Sequence, residues 1–178
     1  MVFRQQKVIG IIGSGTNPHS ELAVPLARWI ARNNYHLLTG GGGGVMAAAS
    51  KAFCEVENRS GISIGILPTE SDRTGQFTLL AGYPNPWVEL NIVSPLSRFD
   101  PKNPEQLSRN YICILSSDLI VALPGSIGTQ NEVELAIRFQ KPIILFGTAE
   151  QTICFPSTLP KTAKFTDVVD FILSQDLT

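Results

Sequence analysis

The stretch Thr39-Gly40-Gly41-Gly42-Gly43-Gly44-Val45-Met46 sets five consecutive glycines between an apolar run and an alanine-rich segment. Each glycine costs on the order of 1 kcal/mol more chain entropy than alanine in regular structure, so such a run marks backbone that must approach something closely. Two more turns have the same setting: Gly13-Ser14-Gly15-Thr16-Asn17-Pro18 after one apolar run, and Pro124-Gly125-Ser126-Ile127-Gly128-Thr129 after another. A turn that leads from a buried strand into a helix leaves backbone N–H groups free at the positive helix end, and together these attract an anion. The chemistry indicated is the holding of a phosphate, or of a flat ring carrying one, against main chain stripped of Cβ atoms. Plain tight turns are the alternative, because neither the G-x-G-x-x-G dinucleotide spacing nor the G-K-[ST] ending of a P-loop occurs in these stretches.

Positioning three such turns side by side requires a sheet whose strands end together. Apolar runs of strand length alternate with segments of helical periodicity, which predicts a parallel sheet covered by helices. Strands are expected over residues 7–13, 35–39, 62–67, 87–93, 119–123 and 142–146. Helices are expected over 18–33, 45–57, 105–117, 129–140 and 165–173. Asn17 is a candidate N-cap with Pro18 at the first helical position, and Leu22, Leu26, Trp29 and Ile30 form one apolar face. Residues 68–85 and 94–104, rich in Pro, Gly, Ser and Thr, read as loops. The expected fold is therefore α/β: a Rossmann-like, doubly wound, mostly parallel sheet flanked by helices, one domain over residues 1–178, with ligands at the strand C-terminal edge.

Composition narrows the partners. With 178 residues, 43% apolar and 16% charged, the chain can bury one core, and a net charge of −1 provides no broad attraction for nucleic acid or anionic membrane. The apolar start runs into a glycine turn and reads as a strand rather than a signal peptide, and no apolar run approaches the roughly 18 residues of a membrane span. A cytoplasmic protein is expected. Cys54, Cys113 and Cys154 lack C-x-x-C pairing and read as core or inert thiols, and no His, Cys, Asp and Glu grouping has metal-ligand spacing.

The run Pro124-Gly125-Ser126-Ile127-Gly128-Thr129-Gln130-Asn131-Glu132 resembles the P-G-G-x-G-T-x-x-E signature of the LOG-like proteins, a Rossmann-like family. The likeness extends to the two earlier glycine turns, the Ile66-Leu67-Pro68 strand end, and Arg109 in the helix before the signature. In the family's enzymes an arginine of that helix and the signature glutamate serve hydrolysis of a nucleoside 5'-monophosphate, which would give Arg109 and Glu132 catalytic roles. A carboxylate can steady positive charge at an anomeric carbon, and an arginine can orient it or grip phosphate. Two other readings stay open: Thr129 to Glu132 is also a T-x-x-E capping box, and Arg109 could lie on a solvated helix face.

The chain departs from the hydrolase pattern at Ser126, in place of the second signature glycine, and at Asn131, where a second acid is common. Residues 84–90 (PNPWVEL), 107–110 (LSRN) and the ALPGSIGTQNEVELA run are similar to the molybdenum cofactor carrier branch of the family. That resemblance implies a homo-oligomer that carries the phosphorylated pterin (molybdopterin) without turnover and exchanges it with cofactor-synthesis proteins or molybdoenzymes. It implies ligand contact by Gly13, Ser14, Gly15, Thr16, Gly40, Gly41, Gly42, Gly43 and Gly44. On the other side it implies contact by Arg109, Asn110, Pro124, Gly125, Ser126, Ile127, Gly128, Thr129 and Glu132, with no metal held by the protein itself. Ser14, Thr16, Ser126 and Thr129 are the candidate hydroxyl donors, and Arg98 and Lys102 candidates for further negative charge. His19 is read as a first-turn surface residue, His36 and Trp29 as structural, and Trp87 as a pocket rim or subunit contact.

Overall fold

Successive residues of each strand alternate between two helical layers. Ile9, Ile11, Leu119, Val121, Ile144 and Phe146 pack on one side, and Ile12, Ile120, Ala122, Ile143 and Leu145 on the other. Strands buried on both faces read as continuous apolar runs, which is why the core strands were legible. The computed structural model describes residues 6–175, so the reading of the extreme N-terminus rests in part on residues outside those described.

The elements are β1 (Val8–Ile12), α1 (Ser20–Arg32), β2 (His36–Thr39), α2 (Val45–Cys54), β3 (Ser63–Leu67), β4 (Thr69–Ser71) and β5 (Phe77–Leu79). There follow β6 (Leu90–Val93), α3 (Arg109–Leu115), β7 (Leu119–Ala122), α4 (Ile127–Arg138), β8 (Ile143–Phe146), β9 (Lys161–Thr162) and α5 (Phe165–Ser174). Seven strands form one parallel sheet in the order β6-β3-β2-β1-β7-β8-β9. Helices α1, α2 and α5 cover one face and α3 and α4 the other, the expected doubly wound α/β arrangement. The chain winds outward from β1 through β2 and β3, then returns to place β7 on the other side of β1. That reversal between β1 and β7 is the topological switch point, where the loops leaving the two strands diverge and open a crevice.

Local corrections each have a physical reason. Residues 68–85 are not all loop: β4 and β5 pair antiparallel, Thr69 opposite Leu79 and Ser71 opposite Phe77. The strand expected at 87–93 begins at Leu90, because Asn85 turns the preceding segment, its Oδ1 accepting from Trp87 N–H (3.1 Å). The helix expected from 105 starts only at Arg109, after an extended Ser108; the Arg109 N–H donates to Ser97 O (2.9 Å). Helix α1 begins at Ser20 rather than Pro18: Asn17 does not cap it but accepts from His19 N–H (3.2 Å), and His19 takes the cap position at φ 39°. Leu26 and Ile30 are fully buried, and Trp29, stacked on Tyr35 with centroids 5.8 Å apart, packs at the edge of the core.

Candidate functional site

The three glycine-rich turns meet at the strand C-terminal edge, and much of their backbone is spent on one another. Ser14 N–H donates to Pro124 O (3.0 Å), and Val45 N–H donates to Ser14 O (2.9 Å). Gly44 has φ +58°, a region that disfavours side chains, and a Cβ there would lie 2.2 Å from Ser14 O. The Ser14 hydroxyl accepts from Asn17 N–H (2.9 Å) and Thr16 N–H (3.2 Å), closing its own turn. The Pro84-Asn85 segment clamps the glycine run: Asn85 Nδ2 donates to Gly42 O (3.0 Å) and Asn85 N–H to Gly41 O (2.7 Å).

Beside these turns, at the switch point, lies a cavity of about 480 Å³. Of the expected ligand residues, Gly13, Gly15, Gly40, Arg109, Asn110, Ser126, Gly128, Thr129 and Glu132 border it, as does Arg98. Ser14, Thr16, Gly41, Gly42, Gly43, Gly44, Pro124, Gly125, Ile127 and Lys102 are not on its wall. Thr16 and Gly44 instead line a second groove, of about 560 Å³, between α1 and α2, with Arg28, Lys51 and Trp87. Of the three turns, the one leading into α4 places its first helical turn at the cavity. Ser126 precedes it without a side-chain cap bond, and Ser126, Gly128 and Thr129 face the cavity where first-turn N–H groups lack helical partners.

At the inner wall Arg109 is 5% exposed and Glu132 8%. The solvated-face reading of Arg109 therefore fails. Its Nη1 donates to Cys113 Sγ (3.3 Å) and lies 3.6 Å from Glu132 Oε1, while its Nε has no partner. Gly40 makes room for the guanidinium, since a Cβ at that position would sit 2.1 Å from Nη1. Burial works against the arginine's charge, but Cys113, Glu132 and Tyr83 outweigh it and hold the guanidinium protonated. Burial pushes the Glu132 carboxyl up to about 7, with Arg109 pulling the other way. The capping-box reading of Glu132 also fails: α4 starts at Ile127, so Thr129 lies inside the first turn and Glu132 turns to Arg109. Asn131, at the position where a second acid was expected in hydrolases, accepts from Asn110 Nδ2 (3.0 Å) and ties α4 to α3.

Sequence reading missed Met46, Leu80, Tyr83 and Phe99, which supply apolar wall, and Glu70 and Asp100, which add negative charge. Met46 enters with the helix that follows the glycine run, whereas Glu70, Leu80, Tyr83, Phe99 and Asp100 are brought there only by chain reversal in the segments read as loops, where no spacing signal marked them. The acidic and basic chains of the wall are the carboxyl groups of Glu70, Asp100 and Glu132 and the guanidiniums of Arg98 and Arg109. Net charge on this wall gives an anion no attraction, which leaves the N–H groups of the turns as the groups that could hold one. His36 Nδ1 accepts from Ile62 N–H (3.1 Å), a structural role, and burial lowers its pKa. His19 sits 3.6 Å from Glu21. Cys113 is buried, Cys54 half-buried with its thiol pushed up to about 11 by burial and by Glu89, and Cys154 is exposed.

The molybdenum cofactor carrier protein of Chlamydomonas reinhardtii is 27% identical to this chain, with TM-score 0.71 over 98% of this chain and 100% of that one. The molybdenum cofactor binding protein of the phototrophic bacterium Rippkaea orientalis is 28% identical, with TM-score 0.73 over 98% and 99%. An uncharacterized protein of Archaeoglobus fulgidus is 26% identical over 137 residues, 76% of either chain. The model of the SLOG cluster4 family matches residues 6–170, which span the sheet, both helical layers and every wall of the cavity, and the chain belongs to that family.

Proposed function

We propose that the protein is a molybdenum cofactor carrier, binding the phosphorylated pterin, shielding it and handing it on without turnover. The observation that carries this reading is the cavity at the β1–β7 switch point, where the uncapped first turn of α4 faces an apolar wall of Met46, Tyr83 and Phe99. The phosphate belongs at Ser126, Gly128 and Thr129, with Arg98 lining the same cavity, and the flat ring against the apolar wall. The end-to-end likeness to two proteins of molybdenum cofactor handling supports the same ligand. Molybdenum is cargo in this account; among the described residues no group of three or more His, Cys, Asp or Glu could hold a metal ion.

The same reading has the protein in the cytoplasm, with cofactor-synthesis proteins or molybdoenzymes as donor and recipient and no nucleic acid or membrane partner. It also has the chain pairing with itself through α3 and α4, which lie side by side and leave Leu115 and Ile137 exposed. Sedimentation velocity checks the pairing: the account expects a dimer or tetramer that Leu115→Glu weakens.

A second reading, nucleoside 5'-monophosphate phosphoribohydrolase, is favoured by one observation, the Arg109–Glu132 pair at the cavity wall. Against it, Asn131 is spent on Asn110 and leaves one carboxylate of the hydrolase pattern. Incubation with AMP and cytokinin ribotides separates the two. The carrier releases no free base; base release abolished by Glu132→Ala identifies the hydrolase.

A further inference from the structure

Glu132 faces the cavity with its hydrogen-bonding capacity unused. Its carboxylate lies 3.6 Å from Arg109 Nη1, beyond hydrogen-bond reach, and among the described residues no N–H or O–H donates to it. An ionised carboxylate offers roughly four lone-pair sites and no donor, so it repels a phosphate and calls for N–H groups. Position along α4 separates the two ligand ends. Glu132 follows Ile127, the first helical residue, by five positions, about 7.5 Å along the axis at 1.5 Å per residue. With the phosphate at the first turn, as proposed above and on which this inference rests, the far end of the ligand is the part that meets Glu132.

That end must present adjacent N–H donors, and next to them an acceptor. Arg109 borders the same wall, keeps its guanidinium donors beside the carboxylate, and has a buried Nε without a partner. An acceptor pair flanked by donors complements the 2-amino-4-oxopyrimidine edge, which sets an amino group and a ring N–H beside a carbonyl oxygen. Pterins and guanine carry this edge. Hypoxanthine lacks the amino group, and adenine places a ring acceptor where the N–H is needed.

We propose that Glu132 reads the amino-pyrimidinone edge of the ligand, so that the cavity selects pterin and guanine monophosphates over hypoxanthine and adenine monophosphates. Burial raises the carboxyl, so binding is measured at pH 8, where it is ionised. The groups facing it are Arg109 and Cys113 of α3, with Tyr83 beside Arg109, and the arginine remains charged throughout.

Titration calorimetry on the whole chain with a 6-substituted pterin monophosphate, GMP, IMP and AMP tests the assignment. The expected Kd of the pterin monophosphate and GMP is at least about tenfold below that of IMP and AMP, the size of one charge-assisted hydrogen bond. This ranking requires no variant. In Glu132→Gln the GMP affinity falls to that of IMP, because an amide presents a donor where the carboxylate accepted. Equal binding of GMP and AMP, or a preference that survives Glu132→Gln, overturns the inference while leaving the carrier reading intact if the pterin monophosphate still binds. Failure of the pterin monophosphate and every nucleotide to bind overturns both.

Discussion

Gly40 and Glu132 both lie against the buried Arg109 guanidinium, and each makes a prediction of its own. An alanine at position 40 would press its Cβ into the buried guanidinium of Arg109 and force it out of its place beside Glu132. Gly40→Ala is expected to cost on the order of 1–3 kcal/mol in urea unfolding, as overpacking of a filled site does. An unchanged midpoint would mean that Arg109 is free to move. For Glu132 the sign follows from linkage. Its folded pKa is raised, so between the ordinary 4.5 and about 7 the native chain holds a proton that the unfolded chain has released. The contribution to stability is present below about 4.5 and is lost as pH rises toward 7. Wild type should therefore lose stability relative to Glu132→Gln by on the order of 2 kcal/mol between pH 5 and pH 8, whatever the constant offset between them. A pH-independent difference in urea unfolding would contradict the raised pKa.

Helix α4 and the loops around it set where stability and binding part company. A Cβ on Gly128 meets nothing within 4 Å, yet the residue faces the cavity. Gly128→Ala is expected to leave stability unchanged or to raise it by up to about 1 kcal/mol, through helix propensity, while weakening binding of the phosphorylated ligand at least about tenfold. Parallel thermal melts and calorimetry check the two halves; unchanged binding would move the phosphate away from this turn. Asn85 acts at a distance from the ligand. Asn85→Ala removes the Nδ2 bond to Gly42 and should cost about 1–2 kcal/mol and speed amide exchange over residues 40–44, measured by hydrogen exchange. The sheet was legible because strands buried on both sides cannot hide their apolar runs, and α4 because its glycine-rich entry follows one of them. Boundaries were less so. The helix expected from Glu105 starts only after Ser108, where the Arg109 N–H reaches Ser97 O, and Asn17, expected to cap α1, instead accepts locally from His19 N–H. The β4–β5 hairpin was hidden by its exposed, loop-like residues. Glycine content signalled a close approach, but not that Gly44 would lie against Ser14 and Gly40 against the Arg109 guanidinium.

At the scale of the molecule, the winding of the chain rather than its charge makes the site. A net charge of −1 and a wall with more carboxylates than guanidiniums would disfavour a phosphate in an ordinary cleft. The reversal between β1 and β7 compensates by aiming the start of α4 into the crevice between the two halves. The cavity volume of about 480 Å³ suits one ligand with a fused ring system and a phosphate. No helix among the described residues is long and apolar enough to cross a membrane. The central claim is that this crevice holds a phosphorylated pterin and leaves it unchanged. Native mass spectrometry after anaerobic incubation with molybdopterin and, separately, with AMP tests it most directly. The account predicts one intact molybdopterin per chain, lost in the Gly128→Ala protein, and no free adenine; adenine release, or a chain that emerges without pterin, would contradict it.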